Sequence, residues 1–232
     1  MKMWKAALLV GSALTCAFAQ DSSAGARDLF LETKSSDPAV HHVGLRYTVL
    51  LVDPETRRSR EMDPKTVFHA GDCLAVEFMP NRDGSLWAFN HGSSGAWQLL
   101  LPSPQMPEEA DIVKAGQLRR IPTDYCFRLD DHPGTETFVL AITERPDDIR
   151  RLRSLLASPD GVKFAGEGGP AMVANSVPDL VESWQRLSAR DLRLEKIAQP
   201  RSDAEPPQAV YVVAASVVES TRLVLEIQIR HE

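Results

Sequence analysis

The clearest pattern in the chain is a series of short apolar segments separated by turn residues. Residues 43–52 are rich in β-branched and aromatic side chains, which favour strands. Residues 73–78 alternate, so that Leu74, Val76 and Phe78 share one face of a predicted strand. Similar segments are residues 85–90, 97–101, 119–122, 125–129, 137–143, 190–197, 209–218 and 222–230. Turn signals recur about every ten residues, which is typical of a β-sandwich or a barrel.

The residues between these segments predict tight connections. Residues 81–84 (NRDG), 92–95 (GSSG) and 130–134 (DDHPG) are rich in Asn, Asp and Gly, which tolerate the backbone angles of turns. The predicted hairpins join residues 73–78 to 85–90, 85–90 to 97–101, 125–129 to 137–143, and 209–218 to 222–230. Hairpins place neighbouring strands antiparallel, so the sheets should be mainly antiparallel.

Two later segments have helical spacing instead. Pro146 opens the first, with two acids in its first turn and apolar residues three or four positions apart. The second begins at Ser176, and its apolar stripe is Val177, Leu180, Val181, Trp184 and Leu187. Residues 158–174, between the two, are rich in Gly and small residues and predict a loop. We therefore predict a mainly β fold, an antiparallel β-sandwich of immunoglobulin-like general architecture with two accessory α-helices.

One short sequence occurs twice. Residues 26–32 (ARDLFLE) recur as residues 189–195 (ARDLRLE) with a single difference, and each copy precedes a loop and a β segment. The echo is either a repeated strand–loop–strand unit or a coincidence in a short window. We expect strands at 26–32, 190–197 and 209–230 to extend the sheets of one mature domain.

The predicted organisation of the chain has two parts. They are a signal peptide, residues 1–19, and a β-rich domain, residues 20–232, whose regions are a core (66–146), a helical elaboration (146–190) and terminal strands (190–232).

Residues 1–19 have the pattern of a secretory signal peptide. Two lysines precede an apolar run over residues 6–15, which is too short to span a bilayer as a helix. Ala17 and Ala19 then supply the small residues that signal peptidase requires. Cleavage after Ala19 gives a periplasmic or secreted protein. A membrane anchor and a lipoprotein modified at Cys16 are the alternatives, and the residues before Cys16 fit a lipoprotein signal poorly.

The charge of the chain argues against some partners. The formal net charge is −6, and removing residues 1–19 with their two lysines and no acids makes it −6 − 2 = −8. An acidic protein without a basic stripe repels nucleic acid and anionic membranes. We expect neither as a partner, and we expect no transmembrane segment in the mature chain.

The titratable residues offer little that is typical of catalysis. Cys73 and Cys126 remain after processing, and they form either one disulfide or two separate buried thiols. A hydrolase whose residues converge only in three dimensions would draw on Cys126, His132, Asp72 and His91. The six histidines lack the spacing of a metal site. We assign no catalytic residue, no metal ligand and no cofactor.

Aromatic residues around one turn suggest a binding patch. In the predicted strand 85–90, Leu86 and Ala88 face one side of the sheet and Trp87 and Phe89 face the other. The side that carries Trp87 is either core or an exposed surface. An exposed surface would combine Trp87 and Trp97 with His91, Ser93 and Ser94, and it could stack on a sugar or a peptide.

An ordered set of short motifs resembles a known family between residues 66 and 146. The motifs are residues 68–72 (FHAGD), 83–90 (DGSLWAFN), Gly95, 99–102 (LLLP), 115–116 (AG), 121–122 (IP), 133–136 (PGTE) and the strand 138–143. They resemble the bacterial family catalogued as domain of unknown function 4384. The resemblance implies a β domain of exported or envelope-associated proteins, and it implies no catalytic residues.

Together these features predict a non-catalytic interaction module of the bacterial cell envelope. Its expected partner is an envelope protein, a peptide or a glycan. The hydrolase described above is the alternative.

Overall fold

The computed structural model describes most of the chain outside its first 24 residues. The described residues are 25–32, 41–102, 109–123, 125–158, 162–164, 171–173, 176–188, 192–198, 208–216 and 222–232. The predicted signal peptide therefore lies outside the described residues. No described helix is long and apolar enough to cross a membrane.

Within these ranges the chain forms three helices and fifteen strands. The helices are α1 (Ala26–Leu31), α2 (Pro146–Leu156) and α3 (Ser176–Ser188). The first strands are β1 (His41–Val52), β2 (Ser59–Met62), β3 (Val67–Phe68), β4 (Cys73–Pro80), β5 (Gly84–His91), β6 (Trp97–Leu101), β7 (Ile112–Val113) and β8 (Arg119–Ile121). The remaining strands are β9 (Phe127–Arg128), β10 (Gly134–Thr143), β11 (Val162–Phe164), β12 (Ala171–Val173), β13 (Leu192–Ala198), β14 (Gln208–Ser216) and β15 (Arg222–His231).

The strands form two packed sheets. Sheet A has the order β13-β14-β1-β4-β8, with β2 paired to β1 and β9 paired to β4. Sheet B has the order β11-β12-β6-β5-β10-β15-β3, with β7 paired to β5. All described pairs are antiparallel except β15 with β3. The predicted mainly β, antiparallel sandwich is confirmed, and it carries three helices instead of two.

The core between the sheets is built by alternating positions. In β5, Leu86 and Ala88 lie in the apolar cluster shared by both sheets, together with inward residues of β1 such as Leu45. Trp87 and Phe89 face the opposite side of sheet B and are fully buried there as well. Both faces of sheet B are therefore covered along β5.

Helices α2 and α3 cover the outer face of sheet B. Leu152, Val177 and Trp184 pack with Trp87 and Phe89 in one buried cluster. The burial of Trp184 was predicted from the helical stripe, whereas the side chain of Leu187 lies outside the described part of α3.

The start of α2 is fixed to β15 by a buried ion pair. Asp148 accepts hydrogen bonds from the Arg222 guanidinium, with Nη2 2.8 Å from Oδ1, and from the hydroxyl of Thr143. The Arg222 guanidinium also lies 5.9 Å from the ring centroid of Trp184. Because a buried carboxylate needs such partners, the pairing determines where α2 sits on the sheet.

The two copies of the echoed sequence adopt different structures. Residues 26–31 form α1, so the strand predicted at 26–32 is wrong, whereas Leu192–Ala198 is the expected strand. The one difference between the copies explains this result. Phe30 completes a helical stripe with Ala26 and Leu29, and the second copy has Arg193 where Phe30 stands. The repeated strand–loop–strand unit is therefore not present.

Helix α1 packs on the outer face of sheet A. The Phe30 ring contacts the Tyr211 ring edge-on at a centroid distance of 5.3 Å. A Cβ atom added to Gly44 would lie 3.1 Å from Phe30 Cδ2 and 2.9 Å from a methyl of Val213, so the glycine allows this close approach. The Glu195 carboxylate accepts a hydrogen bond from the backbone N–H of Arg27 at 2.9 Å. The two echoed segments thus touch each other.

Three of the four predicted hairpins are instead crossings between the sheets. Strands β4 and β5, β9 and β10, and β14 and β15 follow each other in sequence but lie in different sheets, and only β5 and β6 pair as predicted. Asn81 shows how one crossing is held. Its side chain accepts a hydrogen bond from Gly44 N at 2.7 Å and donates to His42 O at 3.1 Å. These bonds tie the end of β4 to β1 where the chain leaves sheet A.

The segment predicted as a loop between the two later helices also contains strands. Strands β11 and β12 pair with each other, and β12 pairs with β6. They extend one edge of sheet B.

The helix layer generates a stability prediction with a matched control. Leu152 of α2 is fully buried against the outer face of sheet B, whereas Leu194 on β13 is 63% exposed. We expect Leu152→Ala to lower the free energy of unfolding by about 3–5 kcal/mol, because it removes apolar contact and leaves a cavity. Leu194→Ala should change it by less than about 0.5 kcal/mol. Urea unfolding of both variants measures the difference, and equal losses would contradict the packing of α2 on sheet B.

Candidate functional site

The inward face of sheet B changes from apolar to polar at one end of the sandwich. Along β5 the inward row runs Leu86, Ala88, Asn90, and all three side chains are buried. Along β10, Glu136 follows the same alternation as Phe138. The register pairs Asn90 with Phe138 on the neighbouring strand. Buried polar residues therefore replace apolar ones where the contact between the sheets ends.

Glu136 is the centre of this polar group. Its Oε2 accepts a hydrogen bond from Asn90 Nδ2 at 2.8 Å, and its Oε1 accepts one from the backbone N–H of Ser93 at 3.1 Å. The His231 Nε2 atom lies 3.9 Å from the same Oε1, and the His231 side chain is buried. The Glu136 side chain itself is 13% exposed. The carboxylate is thus held in a fixed position with one side open.

Two buried groups next to this carboxylate lack hydrogen-bond partners among the described residues. They are the Oδ1 atom of Asn90, whose side chain is 4% exposed, and both ring nitrogens of His231. A buried polar atom without a partner typically costs about 1–3 kcal/mol. Such atoms are uncommon in proteins, and each requires a specific explanation.

A pocket of about 150 Å³ opens beside these residues. Its apolar floor comes from both sheets, with Phe127 and Leu129 on the side of sheet A and Phe138 on sheet B. The Phe127 and Phe138 rings meet edge to face at 5.0 Å. The polar lining includes Asn90, Ser93, Ser94, Gln98, Asp130 and Glu136. We call this cavity the end pocket.

The shape of the end pocket depends on the turn between β5 and β6. Gly92 N donates to Ala96 O at 2.9 Å, which closes the turn. A Cβ atom added to Gly134 would lie 2.6 Å from the Cβ of Ser93, closer than any real contact. Because Gly134 lacks that atom, β10 can approach the turn closely enough for Glu136 to reach Ser93.

The aromatic patch suggested by the sequence is divided between two faces. Trp87 is 1% exposed and lies beneath α2 and α3, so it is core and not a contact surface. His91 and Trp97 stack at a centroid distance of 4.8 Å on the same outer face, and Trp97 is half-buried against Phe89. Only Ser93 and Ser94 of the suggested patch line the end pocket.

The residues proposed for a hydrolase have other contacts. Cys126 forms a disulfide with Cys73, so it has no free thiol to act as a nucleophile. His132 is 82% exposed beside Asp131 on a turn. Asp72 accepts a hydrogen bond from its own turn, at His69 N. The remaining candidate, His91, stacks on Trp97. Among the described residues, no cluster of three or more His, Cys, Asp or Glu side chains could hold a metal ion.

Two further pockets flank the disulfide. They have volumes of about 430 and 310 Å³ and share the Asp53–Pro54 turn. The larger is lined by Arg58, and the smaller by Arg120 and the exposed ring of Tyr125. Their polar lining is mixed in charge.

Comparison with known protein families identifies part of the chain. The model of the family described as Domain of unknown function (DUF4384) matches residues 67–146. Residues 67–146 are therefore similar to this family, and we call them the DUF4384-like segment. This match confirms the resemblance predicted from the motifs. No curated protein and no solved structure matches the chain significantly.

Several polar residues of the DUF4384-like motifs hold turns. Asp83 accepts hydrogen bonds from Lys114 Nζ at 2.8 Å and from Ala115 N at 2.9 Å, and these contacts hold its pKa below the ordinary range of an aspartate. Asp72 closes the turn before β4. Asn90 and Glu136 also belong to the motifs, but they line a pocket. They are the motif side chains whose place in the structure points to binding.

The sequence patterns missed most of the end pocket, although the necessary signal was present. Asn90 and Glu136 stand at inward positions of strands whose other inward positions are apolar. His231 likewise follows Ile227 and Ile229 on the inward row of β15. A polar residue at a core position of an alternating strand was therefore a better indicator than exposed aromatic residues.

The strands of the DUF4384-like segment pair with strands from other parts of the chain. Strand β4 pairs with β1, and β10 pairs with β15, both from outside residues 67–146. Inward residues of β1, β14 and β15 complete the apolar core between the sheets. The matched segment and the flanking strands therefore share one core.

This shared core predicts the behaviour of a fragment. Residues 67–146 produced alone would expose the edges of three strands, β4, β6 and β10, and much of the apolar face of each sheet. We expect this fragment to aggregate or remain unfolded, whereas residues 25–232 give a soluble, cooperatively unfolding protein. Size-exclusion chromatography and circular dichroism of the two products measure the contrast. A monomeric 67–146 fragment with cooperative unfolding would contradict the shared core.

Proposed function

We propose that this chain is an exported, non-catalytic β-sandwich module that binds a partner in the bacterial cell envelope through the end pocket. The exported location rests on the signal-peptide pattern of residues 1–19. The family resemblance, which implies exported or envelope-associated proteins, supports the same location.

The observation that carries the proposal is the unpaired buried oxygen of Asn90 beside the open Glu136 carboxylate. Replacing a buried polar pair by apolar side chains of similar shape is often neutral or stabilising, so the fold does not require such a pair. An incoming donor would satisfy the group that the fold leaves unpaired. Binding of a ligand is thus the role that explains why polar residues stand at these two core positions.

The architecture of the pocket suits recognition by a module of this kind. Rigid strands place Asn90 and Glu136, while the turn at Ser93 and Ser94 lies at the surface. Binding sites are typically loops and polar groups held by a rigid scaffold. The disulfide at Cys126 also removes the nucleophile of the hydrolase alternative.

Site-specific photo-crosslinking tests the proposal. A benzoylphenylalanine placed at position 94 in cells carrying the full chain should give a discrete adduct in the periplasmic or secreted fraction. The same residue at position 117 is the control, because Gln117 is also exposed. Gln117 belongs to the turn that begins at Lys114, and Ala115 of this turn donates a hydrogen bond to Asp83, the residue just before β5. Since β5 spans about 25 Å, the two positions lie at opposite ends of the strand.

The outcomes separate the parts of the proposal. An adduct from position 94 that is missing from position 117 supports binding at the end pocket. Identical adducts from both positions, or none from position 94, would overturn it. Turnover of a hydrolase substrate by the purified protein would show that the chain is not a non-catalytic module.

A further inference from the structure

We infer that the end pocket recognises the cationic side chain of a lysine or arginine in a partner protein or peptide. This inference rests on the proposed binding function and adds the chemistry of the group that is bound.

The two buried residues that carry the proposal, Asn90 and Glu136, present acceptor oxygens to the pocket. Glu136 presents a carboxylate, and its two described hydrogen bonds both come from donors of the protein. Asn90 uses its amide N–H towards Glu136, which leaves its Oδ1 as an unpaired acceptor. A ligand that satisfies both residues must therefore bring donors, and ammonium and guanidinium groups carry several donors and no acceptor.

The charges around the pocket favour a cation. Glu136 and Asp130 line it with two carboxylates, against the one guanidinium of Arg128. Arg128 is exposed, and its Nη1 donates to Gly71 O at 3.4 Å. A hydroxyl and a cation can both donate to the carboxylate, but only the cation adds a Coulomb attraction between opposite charges, so a cationic donor gains more here.

The floor of the pocket suits the rest of a long basic side chain. The faces and edges of Phe127 and Phe138 offer apolar contact for methylene groups and an aromatic surface for a cation. A volume of about 150 Å³ equals roughly five water molecules, which is room for one side chain. The stacked rings of His91 and Trp97, which a sugar could use, lie on the other face of sheet B.

Titration with short peptides tests this inference independently of the natural partner. The probes are N-acetylated, C-amidated Gly-Gly-Xaa-Gly-Gly peptides in which Xaa is lysine, arginine or norleucine, so that only the Xaa side chain carries charge. N-acetylglucosamine is a further neutral probe. Nuclear magnetic resonance of the Asn90 side-chain amide and the Ser93 backbone amide in the mature protein reports binding. The lysine and arginine peptides should shift both signals at millimolar concentration, whereas the norleucine peptide should not.

A matched pair of variants assigns the effect to the carboxylate. Glu136→Gln keeps the size of the side chain and its acceptor oxygen but removes the charge, so it should weaken the basic peptides about ten- to a hundredfold. Glu226→Gln makes the same change at an exposed position on the adjacent strand β15 and should leave binding unchanged.

The results distinguish this inference from the proposed function. If position 94 crosslinks a partner but the basic peptides shift neither signal, the cationic specificity is wrong and the binding function stands. Shifts produced by N-acetylglucosamine in place of the basic peptides would overturn the inference in favour of a glycan. Equal weakening by Glu136→Gln and Glu226→Gln would also contradict it.

Discussion

The apolar contact between the inward faces of sheets A and B holds the other parts of the structure in place. Strands from most of the described chain contribute to it. They include β1 and β15, which lie outside the DUF4384-like segment and pair with its strands β4 and β10. The end pocket exists because this contact stops at Asn90 and Glu136. One alternating row of side chains thus belongs to the core along most of its length and lines the end pocket at its end. Because these side chains stand on paired strands, the lining of the pocket is as rigid as the sheets.

Much of the fold could be predicted from the sequence, because strand positions depend on local alternation. Residues 43–52 and 85–90 formed strands where the pattern indicated them, and the faces of Trp87 and Leu86 followed the pleat. The partner of each strand could not be predicted in the same way. A turn such as residues 81–84 shows that the chain changes direction, but the sheet that receives the next strand depends on distant contacts, here the bonds from Asn81 to β1. The helix at Ala26–Leu31 was missed because a seven-residue window fits both periods.

The candidate site could be predicted only in part, for a related physical reason. Ser93 and Ser94 were found because a turn is visible in the sequence. The aromatic residues near them were misleading, since large rings are buried more often than they serve as surfaces, and the helices cover Trp87. Glu136 is distant in sequence from Asn90, and only the pairing of β5 with β10 brings the two side chains together. A polar residue on a predicted inward row therefore marks a candidate site residue, but its partner can be named only once the strand order is known.

The central claim is that the polar pair of the end pocket serves binding and not folding, and a double-mutant cycle tests it most directly. Glu136→Met alone should lower the free energy of unfolding by about 1–3 kcal/mol, because it leaves the Asn90 amide without its acceptor. Asn90→Leu combined with Glu136→Met replaces both partners by apolar side chains and removes the unpaired oxygen. Urea unfolding should find the double variant at least as stable as the unchanged protein. The second single variant of the cycle is Asn90→Leu. If the double variant loses as much free energy of unfolding as Glu136→Met and Asn90→Leu lose together, the pair is required for the fold and the account is contradicted.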